Sequence, residues 1–148
     1  MTRSRTTMAA QSDHLAFLRS TPLFASVPED TLARIAEIAS EKSHGTGKVI
    51  VRQGGQAHAF HLIVEGEVEV VADGVVVATL GPRDHFGEIA VVKNAKRNAT
   101  VTAISPARVL AIDTISFRRL VDSDAALADA LPPAIAERLA ERDEKLAD

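Results

Sequence analysis

Apolar positions along this chain repeat at two different periods, and the change of period divides it into three stretches. In the first stretch the spacing is helical. Leu15, Phe17 and Leu18 anchor a short helix predicted from Asp13, its cap, to about Ser20. Thr21-Pro22 ends it, because the residue before a proline avoids helical geometry. Ser26-Val27-Pro28-Glu29 then reads as a capping box, with Ser26 accepting from the third helical N–H and Glu29 reaching back. Pro28 is tolerated in a first turn. Leu32, Ile35 and Ile38, with Ala39, make one apolar stripe. This second helix is expected to fade before His44-Gly45-Thr46-Gly47.

From Lys48 the period becomes two. Lys48 to Arg52 reads as a strand and Gln53-Gly54-Gly55 as a turn. From Phe60, Leu62, Val64, Val68 and Val70 fall on one side, while Glu65, Glu67 and Glu69 fall on the other. That predicts a half-buried strand, or two strands bent at Gly66. Asp73-Gly74 between Val-rich runs is a hairpin signal, with Val75 to Leu80 returning. Gly81-Pro82-Arg83-Asp84 is a turn. Val101 to Ile104 and Val109 to Ile112 are two more strands.

The helical period then returns. Asp113 or Thr114 caps a helix carrying Phe117, Leu120 and Val121, and Ala125 to Leu131 is a further helix. Pro132-Pro133 interrupts, and a last helix is expected from about Ala134 to Leu146, with Ile135, Leu139 and Leu146 on one face. Helices, then many short strands with glycine turns, then helices: this order implies an α+β fold. It is an antiparallel β-roll, jelly-roll-like, with N-terminal helices and C-terminal lid helices.

Composition narrows the function. The 148 residues are about one domain, with a disordered lead-in expected over 1–12 and one domain over 13–148. Five Phe and no Tyr or Trp imply an aliphatic core. A net charge of −3 argues against a nucleic-acid partner. The absence of cysteine excludes disulfides, thiolate metal sites and Cys nucleophiles. There is no apolar run of membrane-span length and no signal peptide, so a cytoplasmic protein is expected.

The segment Phe86 to Val101 interrupts the strand pattern. Gly87 and Glu88 open a short helical turn with Ile89, Val91 and Val92 as its apolar residues; Lys93 to Lys96 is a polar loop, followed by Arg97 and a new strand. This reads as an anion site. A helix start offers free N–H groups, glycine lets a ligand approach the backbone, and Arg97 offers a planar fork of donors suited to phosphate. Glu88 would repel phosphate unless the ligand also carries a hydroxyl donor. A cyclic nucleotide has both, in its ribose 2′-OH and its cyclic phosphate.

Phe86-Gly87-Glu88-Ile89-Ala90 with Arg97-Asn98-Ala99-Thr100-Val101 resembles the phosphate-binding cassette of the cyclic-nucleotide-binding domain family. Its members include the bacterial catabolite activator, regulatory subunits of cAMP-dependent kinase and nucleotide-gated channels. Pro22-Leu23-Phe24, Ile50 to Gly54, Leu62 to Gly66 and Leu80 to Asp84 also stand where the family pattern puts them, so the likeness runs from about Leu15 to Leu139.

The resemblance implies a role for each matching residue. Glu88 accepts from the ribose 2′-OH. The backbone of Gly87, Ile89 and Ala90 lines the sugar-phosphate. Arg97 pairs with the cyclic phosphate, and the Asn98 and Ala99 N–H groups donate to it. Val70 and Val77, at inward strand positions, pack on the base. The last helices move as a lid. Lys96 stands where the family usually has proline, Asn98 where Ala, Ser or Thr is common, and Arg83 where a turn glycine is frequent. Asn98 leaves the base open between cAMP and cGMP, with cAMP favoured.

The expected function is therefore a cyclic-nucleotide sensor without catalytic machinery. Its output partner is a second copy of the chain, or an output domain contacted by the C-terminal helices. The family's DNA-binding members carry a helix-turn-helix after the roll, and the sequence up to Asp148 leaves no room for one. Two other readings compete. One is a degenerate fold serving as a protein-interaction module without nucleotide, favoured by Lys96, Asn98 and Arg83. The other is a cupin-like metal enzyme, disfavoured because His58 and His61, three apart on a strand, would point to opposite faces. His85 reads as a loop residue, and Glu65, Glu67 and Glu69 as the wet face of a strand.

Overall fold

The computed structural model describes residues 13–88 and 95–133. Eight strands form two antiparallel four-stranded sheets. One has the order β1 (Ala39–His44), β8 (Ala107–Asp113), β3 (Ala59–Glu65), β6 (His85–Phe86). The other has the order β2 (Val49–Val51), β7 (Thr100–Ala103), β4 (Val68–Ala72), β5 (Val75–Leu80). Helical residues 13–20 (α1), a 3-10 turn at Pro22–Phe24, α2 (Glu29–Ile38), α3 (Thr114–Ser123) and α4 (Ala125–Ala130) complete the described fold.

Two hydrophobic cores follow from this layering. Phe60, Leu62, Leu110 and Ile112 face the helices and meet Leu18, Phe24, Leu32, Ile35, Phe117 and Leu127. Ile63, Val68, Phe86, Val101, Ala103 and Val109 fill the space between the sheets. Sheet β1-β8-β3-β6 is thus a shared wall, and β3 is buried on both faces instead of half-buried. Leu62 and Val68 consequently serve different cores, not one side. Gly66 separates them at φ 88, and a side chain there would strike the backbone of Pro106 and Ala107. The core is not purely aliphatic. Phe24, Phe60 and Phe117 form a trio with ring centroids 5.1 to 6.5 Å apart.

Several local expectations change. α2 starts at Glu29 behind Pro28, with no side-chain cap bond, because Glu29 turns instead to an ion pair with Arg19 of α1. The helix ends at Ile38, and Ala39–His44 is a strand the pattern did not reveal. Its mostly exposed residues, Ala-Ser-Glu-Lys-Ser-His, carry no alternation, and only pairing with β8 makes them a strand. His85 likewise belongs to β6, paired with β3.

The Asp73-Gly74 hairpin forms with both residues at positive φ, as a two-residue hairpin turn requires. Arg83 adopts φ 76, a conformation costing a side chain about 1–2 kcal/mol. The turn holds it there: Arg83 N–H donates to the Ile63 carbonyl at 2.8 Å, and the Asp84 carboxylate accepts from Gly81 N–H at 2.9 Å. Asp113 caps α3 by accepting from Ser116 N–H at 2.9 Å. The predicted lead-in over 1–12, the apolar residues Ile89, Val91 and Val92, and the helix from Ala134 lie outside the described residues.

Candidate functional site

Arg97 is the side chain around which the site is built. The β2–β3 connection clamps its backbone. Arg97 N–H donates to the Gly55 carbonyl at 2.7 Å, Gly54 N–H donates to the Arg97 carbonyl at 2.8 Å, and Ala57 N–H reaches the Ala95 carbonyl at 3.0 Å. Gln53 ties the same connection to the β4–β5 hairpin through two bonds with Asp73, at 2.8 and 2.9 Å. Two glycine- and polar-rich turns thereby fix where the Arg97 backbone sits.

That guanidinium is only 7% exposed. Nη2 donates to the Ala59 carbonyl at 2.7 Å, while Nε and Nη1 are buried without a partner. Burial lowers the Arg97 pKa from its ordinary value, yet an arginine stays a cation at neutral pH. Among the described residues no carboxylate pairs with it. An uncompensated buried charge costs several kcal/mol, so the fold maintains here a cation with unused donors. Gly87, at φ 84, leaves the space that Nη1 occupies; any side chain at 87 would collide with it.

The cation opens on a cavity of about 220 Å³. One wall is apolar: Val51, Val70, Ala78, Leu80 and Val101. The other carries Gly87, Glu88, Arg97, Asn98 and Ala99, with His85 and Phe86 between. Seven of the nine residues named from sequence are described, and six of these, Val70, Gly87, Glu88, Arg97, Asn98 and Ala99, line this one cavity. Ile89 and Ala90 lie outside the described residues. Val77 is 59% exposed and turned away. The pairing shifts between Val70 and Val71, so Val70 faces Ala78 and Val71 faces Val76. Val77 is thus the extra residue of a bulge, and Ala78 and Leu80 hold the inward positions it was expected to share.

Sequence reasoning missed two contributors. The Ala59 carbonyl accepts from the Arg97 guanidinium. His61, 8% exposed, stacks on Phe86 with centroids 4.8 Å apart and planes 8° from parallel. Burial first, then the charges of Arg97, His44 and Lys42, push its pKa down to about 3, so the ring is neutral at physiological pH. The β3–β6 pairing that joins His61 to Phe86 is long-range, and no local pattern announces it. His58 precedes β3 and is exposed, so the strand-parity argument does not apply to it. Among the described residues no group of three His, Asp or Glu is placed to hold a metal, and no helix is long and apolar enough to cross a membrane.

Residues 41–124, more than half of the chain, match the family model described as "Cyclic nucleotide-binding domain". The chain is 34% identical over 99 residues to a cAMP-dependent protein kinase regulatory subunit of Yarrowia lipolytica, covering 67% of this chain and 26% of that protein. It is 36% identical over 113 residues to cGMP-dependent protein kinase isozyme 1 of Drosophila melanogaster, covering 71% of this chain and 15% of that protein. It therefore spans about a quarter or less of these relatives. In fold it superposes on the regulatory domain of Toxoplasma gondii PKA, co-crystallised with cAMP, with a TM-score of 0.75 at 22% identity, over 93% of this chain and 51% of the other.

Proposed function

The chain belongs to the cyclic nucleotide-binding domain family, and on that premise we propose that it is a regulatory domain that binds a cyclic nucleotide, cAMP in preference to cGMP. The observation carrying this reading is the buried Arg97 guanidinium, whose Nε and Nη1 lack partners beside a cavity with an apolar wall. In this reading those two groups donate to the cyclic phosphate, replacing an orphaned charge with charge-assisted hydrogen bonds. The Glu88 carboxylate accepts from the ribose 2′-OH, and the Asn98 and Ala99 N–H groups complete the anion cradle. Val70, Ala78 and Leu80 supply the apolar surface for the base. Asn98, exposed at the cavity, is the side chain we assign to base choice.

Regulation follows as a population shift. Ligand held at Gly87, Glu88 and Arg97 would reposition α3 and α4, within the one domain we assign to 13–148. A ligand moves such an equilibrium only by its differential affinity for the two states. The output is contact of the C-terminal helices with a second copy or with another domain.

Isothermal titration with cAMP and separately with cGMP tests the reading, alongside Arg97→Ala. Micromolar or tighter binding that the substitution abolishes is the expected result, with cAMP the tighter ligand. A folded, nucleotide-free protein that binds neither would overturn it and favour a roll that serves only protein contacts.

A further inference from the structure

A second cavity, of about 380 Å³, includes Arg97 in its wall. The nucleotide pocket is lined by Gly87, Glu88 and Asn98, but this one is lined by Lys42, Arg52, Gln56, His58 and His61. None of its lining residues is acidic. Lys42 comes from β1, Arg52 follows β2, His58 precedes β3 and Arg97 precedes β7. Only the closing of the two sheets brings them to one opening.

Two of the lining side chains, Arg97 and His61, are more than nine-tenths buried, and each has unpartnered nitrogen: Nε and Nη1 of Arg97, and Nδ1 of His61. Exposed lysine and arginine around a dry apolar patch would need no explanation. Two buried side chains with unsatisfied nitrogen in the wall of a cavity also lined by Lys42 and Arg52 do, because each unmade bond costs about 1–3 kcal/mol. A bound oxyanion would supply acceptors to the guanidinium in a cavity also lined by His61, Lys42 and Arg52.

We propose that this cavity is a second anion site, taking a small multivalent oxyanion such as inorganic phosphate or the phosphate of a small metabolite, and that it shares Arg97 with the nucleotide pocket. Because one guanidinium serves both, occupancy at one side weakens binding at the other, and the coupling is reciprocal. The existence of the site does not depend on the nucleotide reading; the coupling does.

The site is tested without nucleotide. His61 ring resonances are followed by NMR in chloride and in phosphate buffers of matched ionic strength, so that screening is equal. His61 is flanked by Arg97, His44 and Lys42, with Arg52 and His58 across the cavity. A bound anion among these cations favours the protonated ring, so its pKa is expected to rise by about one unit in phosphate. The Lys42→Gln/Arg52→Gln double variant, both exposed positions, is expected to lose that rise while keeping the fold. An unchanged His61 titration in phosphate, or a rise that survives in the double variant, overturns the site.

The coupling is tested by cAMP titration in the same two buffers. An apparent Kd about fivefold weaker in phosphate for the natural chain, and equal in the two buffers for the double variant, is the expected result. Equal weakening in both proteins would mean that phosphate competes inside the nucleotide pocket, and would overturn the coupling. A methylated phosphate monoester in place of inorganic phosphate separates the two anion sources. If cAMP fails to bind in any buffer while the His61 response persists, the nucleotide reading fails and the anion site stands.

Discussion

The two ends of the shared sheet solve opposite problems. On its helix side, Phe24, Phe60 and Phe117 interlock, and Thr31 donates to Asp124 at 2.6 Å, which in turn caps α4 by accepting from Ala126 N–H at 3.0 Å, while Thr114 Oγ1 and His14 Nδ1 are buried without a partner. On its roll side, Arg97 and His61 are also buried, and three of their nitrogens have no partner. One side is packed to hold the chain together. The other keeps nitrogens unsatisfied in side chains that line two cavities. Burial alone therefore does not say whether a residue serves stability; whether its polar atoms border a packed core or a cavity bears on it as well.

The contrast breaks first at the phenylalanines. Phe60→Ala should destabilise the fold by about 3–5 kcal/mol, read as a lower midpoint in urea. A loss below about 1 kcal/mol would mean that the trio is not the centre of the helix-side core. At the other end, Arg97→Met should cost nothing in stability or raise it by about 1–4 kcal/mol, because a buried unpaired charge is replaced by apolar volume. Nucleotide binding should vanish in the same variant. A large destabilisation would show Arg97 to be a structural residue and would erase the distinction between the two ends.

His61 sharpens the comparison through pH. Its folded pKa, about 3, lies below the usual histidine value of 6.5. The unfolded chain thus binds the proton more readily, and stability falls as pH drops from about 6.5 toward 3. The slope contributed by one such group is at most about 1.4 kcal/mol per pH unit. His61→Phe, which preserves the stack on Phe86, should flatten that slope in chloride buffer, as measured by denaturation at several pH values.

The smallest effect belongs to Asp124. The hydrogen bond from Thr31, and then those from the Leu127 and Ala126 backbone, hold its carboxyl below the usual carboxylate range. Its contribution is present above the unfolded carboxylate pKa and lost as pH falls through the folded value. Asp124→Asn should lower the Tm slightly at neutral pH, and the gap to the natural chain should close in acid. If α3 and α4 move on ligand binding, that substitution should also shift the nucleotide affinity.

Much of this was legible in the sequence. The period of two from Phe60, the Asp73-Gly74 turn, and Val75–Leu80 as a strand are local facts of side-chain alternation and turn chemistry. Asp113 as cap is equally local. Gly87-Glu88 and Arg97-Asn98-Ala99 also stood out, because glycine, carboxylate and guanidinium interrupt an otherwise apolar strand pattern. β1, by contrast, carries no alternation, and Val77 was set on the wrong face because a bulge between Val70 and Val71 reverses parity beyond it.

The sequence by itself determined the alternating strands, the helical stripes and the residue types of an anion site, since each of these depends on neighbours within a few positions. Only the tertiary structure decided that β3 is buried on both faces, that Arg97 lies over Gly87 with two nitrogens unsatisfied, and that His61 stacks on Phe86 beside Lys42. Those outcomes arise from pairings between strands far apart in the chain. Their register is set by the closing of two sheets around a common core, which no local window contains.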